Sequence, residues 1–237
     1  MLVKTKAIVI SALKYQEKSL IVKCFTQSDG LKSYFVPSAY SNKKANQKIA
    51  YFQPLTIIEI EANHKNKGTL EHFKEIKLAH SFHTINTDIV KSTIVIFLSG
   101  ILHHSIHEEE KNENLFSFLE TALLWLDTHE EATNFHLILM MEMTKFLGFY
   151  PDVSEIDFDF FDVKEAFFTP FQSVNTLSAH ETQLFKRLIE LKFDSNQKTF
   201  TGIERQILLK ILLDFYTLHL EGFKKPKSLE VLKEVFS

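Results

Sequence analysis

Between Asp29 and Glu59 the chain has no carboxylate, while Lys32, Lys43, Lys44 and Lys48 alternate with the rings of Tyr34, Tyr40 and Tyr51. Cations and rings in this mixture suit a phosphodiester chain. Ammonium groups take the phosphates and ring faces stack the bases, each stack contributing about 1–3 kcal/mol. With no acid close by, the positive potential is not cancelled within a Debye length of roughly 8 Å. Residues 41–48, SNKKANQK, read as a loop that can close over a strand. The same residues also suit a solvated lysine face beside core rings, or an acidic protein partner.

Other constellations are weaker. His103 and His107 stand four apart with Glu108 adjacent, a spacing able to bind a metal if a third ligand is supplied, although a polar helix end beginning an acidic run explains them more simply. His219 and Glu221 suit contacts with terminal helix carbonyls. Six glycines in the whole chain form no phosphate-cradling loop, and the G-x-S-x-G and H-E-x-x-H patterns are missing. The lone Cys24 lies in an apolar run and reads as a small core residue, leaving no disulfide framework and no thiolate zinc site. No catalytic residue, metal or cofactor is expected.

Composition supports a folded protein. The 237 residues are 45% hydrophobic and 24% charged, ordinary values for a core-forming chain. The first residues show no secretion signal, and no apolar run reaches the roughly 18 residues of a membrane span. A reduced, cytoplasmic setting is expected. The net charge of −3 conceals an asymmetry: residues 1–80 hold 13 lysines against 6 carboxylates, a balance of +7, so the rest carries −10. Such opposition points to a polyanion-binding part joined to a differently tasked part.

The elements follow from periodicity. TKAIVISALKY, SLIVKCFTQ, LKSYFVPSA, YFQPLTIIEIEA and TLEHFKEIKLAH read as five short strands with turn signals between them. Five strands in about 80 residues predict a small closed barrel, because closure removes exposed edges. After residue 84 apolar positions recur at three-and-four spacing, predicting helices over STIVIFLSGILHHSI, ENLFSFLETALLWLD and NFHLILMMEMTKFLG. Gly148 suits a left-handed cap, and Ser178/Glu181 and Thr201/Glu204 have capping-box spacing. The expected architecture is α+β, with a five-stranded barrel at 1–82 and an all-α helical bundle at 83–237. Residues 149–172, acidic and rich in phenylalanine, read as an irregular connection or a short hairpin.

The sequence also resembles a known family, the bacterial DNA-repair protein RecO. The likeness begins in AIVISALKYQEKSLIVKCFTQSDGLKSYFVPSA, with Tyr15, Glu17 and Ser19 followed by Phe25, Thr26 and Gly30. It continues through SNKK and YFQPLTIIEIE and returns in LHLEGFKKPKSLEVL. The resemblance implies an oligonucleotide-binding (OB) barrel followed by a helical domain, with a non-enzymatic role. Such proteins bind single- and double-stranded DNA, anneal complementary strands, and help load recombinase with RecR on DNA coated by single-strand-binding protein. It maps the family's basic loop onto Lys43, Lys44 and Lys48. It further implies a pocket for that protein's acidic, apolar-ended tail, for which Phe97, His136, Met140 and Lys145 are the candidates. A monomer located in the cytoplasm at the nucleoid is expected. Many members carry four zinc-binding cysteines in the region matching Gly148 to Pro170, whereas this chain has acids and phenylalanines there. The alternative expectation is a protein-interaction scaffold whose basic barrel binds an acidic protein.

Overall fold

A computed structural model of the chain describes residues 1–40, 48–65, 69–107, 111–195 and 199–236. Five strands come first: β1 (Leu2–Tyr15), β2 (Ser19–Thr26), β3 (Gly30–Val36), β4 (Ile57–Asn63) and β5 (His72–Leu78). They form one antiparallel sheet in the order β3-β2-β1-β4-β5. Strand β1 is long because it serves two partners, pairing its first half with β4 and its second with β2. A register shift between Val9 and Ser11 lets it bend between them. The edges are tied by one parallel bridge, Tyr34 to Glu71, in which Phe35 N donates to Glu71 O at 2.9 Å and Glu71 N to Ser33 O at 2.8 Å. The expected closed barrel is therefore a five-stranded sheet whose edges meet at a single point and not along a full ladder.

Alternation along the strands sends Ala7, Val9, Leu20, Val22, Cys24, Tyr34, Ile58, Ile60 and Ala62 into one core. The AIVI run of β1 is buried throughout, because Ile8 and Ile10 are covered as well. Two helices belong to the same compact unit, Met1–Thr128: α1 (Ile89–Ser105) and α2 (Glu113–Thr128). The Phe25 ring meets Phe116 of α2 at 6.0 Å, and Glu120 accepts from Lys6 Nζ at 2.8 Å and contacts His80 Nε2 at 3.0 Å.

Asp127 fixes the entry to α1. Its carboxylate accepts from the backbone N–H groups of His83, Thr84 and Ile85 at 2.8–3.0 Å. Burial pushes this carboxyl up, but the three backbone donors and the Thr84 hydroxyl outweigh it and hold it below the ordinary aspartate range. A depressed folded-state pKa contributes stability that is present above about pH 4 and lost as pH falls through the folded value. Asp127→Ala leaves three N–H groups without their acceptor, so a loss of about 3 kcal/mol is expected in urea titrations at pH 7. The difference from the parent should shrink as the pH is lowered toward 3.

The second compact unit, His129–Ser237, contains α3 (Phe135–Leu147), a hairpin of β6 (Phe160–Asp162) and β7 (Phe167–Thr169), α4 (Ala179–Glu190), α5 (Gly202–His219) and α6 (Leu229–Phe236). Gly148 ends α3 at φ 82°, a backbone conformation that a side chain would strain. Both predicted capping boxes form, Ser178 with Glu181 and Thr201 with Glu204. The acidic, phenylalanine-rich segment resolves into the hairpin. Its inner residue Phe161 meets Phe168 at 4.9 Å, Phe185 at 4.7 Å and Phe215 at 5.9 Å. Carbon thus fills the place where sulfur donors would be needed: the segment has no cysteine, so it does not fit a zinc ion.

Candidate nucleic-acid interface

The lysines of the first unit divide by their place along the sheet. On the β1–β4–β5 side Glu61 takes Lys4 at 3.3 Å and Lys74 at 2.5 Å, while Glu75 takes Lys77 at 2.9 Å. Those cations are neutralised locally. At the β1–β2 end of the sheet, Lys14 and Lys18 are exposed and in no ion pair among the described residues, and Lys48, between β3 and β4, is exposed and in none among them either. Lys14 Nζ stands 5.7 Å above the Tyr40 ring, and Tyr40 N donates to Lys18 O at 3.2 Å, so the β1–β2 turn and the chain leaving β3 converge.

Rings accompany these cations. Tyr15, 43% exposed, meets Phe35 edge-on at 6.2 Å, and Phe35 meets His72 at 5.9 Å. The register explains the row. Leu13 pairs with Ile21 and Ile21 with Phe35, which places the three on one side of the sheet, opposite the core row of Val22 and Tyr34. The result is an aromatic strip on one face that ends at the β1–β2 turn, where Lys14, paired with Leu20 of the core row, reaches from the other face over Tyr40.

The predicted site residues separate accordingly. Tyr40 lies at this end, 40% exposed, and Lys48 is exposed in the segment between β3 and β4. Lys43 and Lys44 lie outside the described residues. Tyr51 is half-buried against the core. Two expectations are corrected: Lys32 and Tyr34 are buried, because β3 pairs them with Cys24 and Val22 of the inner row. Tyr34 stacks on Phe73 at 4.1 Å and is no platform for a base. Sequence reading missed Lys14, Lys18, Tyr15, Phe35 and His72. Alternation could not have found them, because AIVI is buried on both faces and carries no phase, and a register shift follows it.

The Tyr34 hydroxyl lies 2.7 Å from His64 Nε2, and His64 Nδ1 lies 3.1 Å from Asp29 Oδ2. A Tyr–His–Asp relay invites a catalytic reading, but burial and the neighbouring Cys24, Asp29 and Glu71 drive the phenol pKa upward. The phenol stays neutral and the network locks the β2–β3 turn to the end of β4. Tyr34→Phe is expected to cost about 1–3 kcal/mol by leaving His64 Nε2 unsatisfied, with DNA affinity unchanged. Denaturant titration beside an anisotropy titration checks both halves.

The histidine pair is not a helical i,i+4 couple, because α1 ends at Ser105 and His107 Nε2 turns to His104 O at 3.0 Å. Among the described residues no group of three or more His, Cys, Asp or Glu side chains could hold a metal. His219 Nε2 contacts Val163 O at 2.8 Å, a carbonyl of the β6–β7 turn and not of a helix end.

The tail-pocket candidates are corrected too. Phe97 is fully buried within the first unit, and His136 and Met140 are buried within the second. Burial, helped by Arg205, pushes His136 down to about 3, so its imidazole is neutral. Lys145 pairs with Glu142 at 2.6 Å and covers Tyr150. A concave surface exists elsewhere in this unit: a groove of about 620 Å³ between α5 and α6, with Ile203, Ile207, Leu213 and Leu229 lining it and Lys210, Lys225 and Lys233 around it.

Comparison with known proteins fits this geometry. The family models for the Recombination protein O N terminal and C terminal regions match residues 1–82 and 86–230. Proteins named DNA repair protein RecO match over the full length of both chains, at 70% identity in Flavobacterium psychrophilum, 69% in Flavobacterium johnsoniae and 38% in Bacteroides fragilis strain YCH46. The chain belongs to the RecO family. It is a DNA repair and recombination protein, and its sheet is the RecO OB-fold. No helix among the described residues is long and apolar enough to cross a membrane. In RecO terms, the aromatic strip lies on the N-terminal domain and the lysine-edged groove on the C-terminal one.

Proposed function

We propose that this protein is a non-enzymatic recombination mediator, in which the Tyr15–Phe35–His72 strip and Lys14, Lys18, Lys43, Lys44 and Lys48 hold DNA. The carrying observation is the division of charge, with lysines ion-paired to Glu61 and Glu75 across β1, β4 and β5, and with Lys14 and Lys18, in no ion pair among the described residues, at the β1–β2 turn where Tyr15 is exposed. Annealing needs no chemical step. Phosphates seated on ammonium groups shed counterions and lose mutual repulsion, so complementary strands come together and sample registers until they pair. The protein would do this as a monomer at the nucleoid, on single- and double-stranded DNA, and would load recombinase with RecR on DNA coated by single-strand-binding protein. The groove between α5 and α6 suits that protein's acidic tail better than the buried candidates, because its apolar floor is open and Lys210 lines it, Lys225 and Lys233 being paired with Asp214 and Glu230.

Five phosphate contacts to single-stranded DNA correspond to a slope of log K against log salt of about −3.5. Anisotropy titrations of a labelled oligothymidine should thus show about 100-fold weaker binding at 200 mM than at 50 mM salt. A flat salt response, with tight binding of an acidic protein in its place, would favour the scaffold reading.

A further inference from the structure

The β6–β7 hairpin has a second face that the mechanism above leaves unused. Register pairs Phe160 with Thr169, Phe161 with Phe168 and Asp162 with Phe167. Phe161 and Phe168 point into the unit, so Phe160 and Phe167 point away from it. Phe167 is 42% exposed, Phe171 just beyond β7 is 76% exposed, and Val174 is fully open. Val153 and Phe158 are exposed as well, which gathers five large apolar side chains within 22 residues. Apolar groups concentrated this way on a soluble surface mark a docking site.

The surrounding charge selects the occupant. From Asp152 to Glu165 the chain has six carboxylates and one lysine, and Lys164 lies 3.8 Å from Glu165. A negative field of that kind repels phosphate and draws cations. Phenylalanine faces also attract guanidinium and ammonium groups. We propose that this hairpin face docks a basic segment of another protein. Arginine or lysine stems lie over Phe167 and Phe171, and their heads pair with Asp157, Asp159 and the neighbouring acids. The surface belongs to the second unit and does not depend on the DNA-holding assignment made for the first.

Two measurements test it. A synthetic peptide alternating arginine with leucine is titrated against the full chain and against Phe167→Ser with Phe171→Ser, which leaves the charge unchanged. Binding should weaken about tenfold or more in the double variant, and a glutamate–leucine peptide should not bind. Equal affinity for both proteins would overturn the proposal, because charge alone would then account for binding. In cells, a photoreactive phenylalanine analogue replacing Phe171 should cross-link to a lysine- or arginine-rich segment of a different protein. Adducts confined to a second copy of this chain or to nucleic acid, or no adduct from a protein whose melting curve is unchanged, would overturn it as well.

Discussion

Changing Lys14 and Lys18 together to glutamine should weaken single-stranded DNA binding about 60-fold at 50 mM salt and about tenfold at 200 mM. The figures follow from counterion release. Each contact with single-stranded phosphate adds about 0.7 to the salt slope, and 50 mM lies about 1.3 decades below 1 M, so two contacts amount to nearly two decades of affinity. At 200 mM the same two contacts amount to about one decade. Both side chains are exposed and in no ion pair among the described residues, so the fold should survive, with loss only of the Lys14–Tyr40 contact. Lys4→Gln with Lys77→Gln is the matched control. These cations already face Glu61 and Glu75, so their removal should change affinity less than about twofold. Anisotropy titrations across a salt series read both variants. A parallel loss in the control would mean that overall charge, and not one end of the sheet, attracts DNA.

Phe161→Ala should cost about 4 kcal/mol and unfold much of the second unit near physiological temperature. Phe161 is fully buried and touches three other phenylalanine rings, and its amide donates to Thr182 Oγ1 at 3.2 Å while its carbonyl accepts from Leu177 N at 2.9 Å. The cavity left by the ring would separate the hairpin from α4 and α5. The companion expectation is that a chelator leaves the melting temperature of the parent unchanged, because packed rings and not a metal hold this hairpin. Calorimetry of the parent, with and without chelator, and of the variant decides both points.

Much of this was legible in the residues. Five strands followed by helices could be read from the change of period near residue 84, and both capping boxes from spacing alone. Those signals are local, set by one stretch of chain and its backbone. What escaped was phase and partner. LKSYFV alternates polar with apolar residues, but only pairing with β2 decides which set faces inward, and it turns Lys32 and Tyr34 in. Lys4 and Lys6 of β1 and Lys74 and Lys77 of β5 count toward the basic excess, yet ion pairs with Glu61, Glu75 and Glu120 remove them from any binding surface. Helical spacing similarly made Phe97, His136 and Met140 look available, although packing buries all three.

The central claim is that DNA lies on one end of the OB sheet, across Tyr15, Phe35 and His72 and beside Lys14 and Lys18. Ultraviolet cross-linking of a 5-iodouracil oligonucleotide to the intact protein, followed by mass spectrometry of the joined peptides, tests it most directly. Adducts should fall on peptides containing Tyr15, Phe35, Tyr40 or His72. Adducts found only on peptides from β4 or from residues 129–237 would contradict the account.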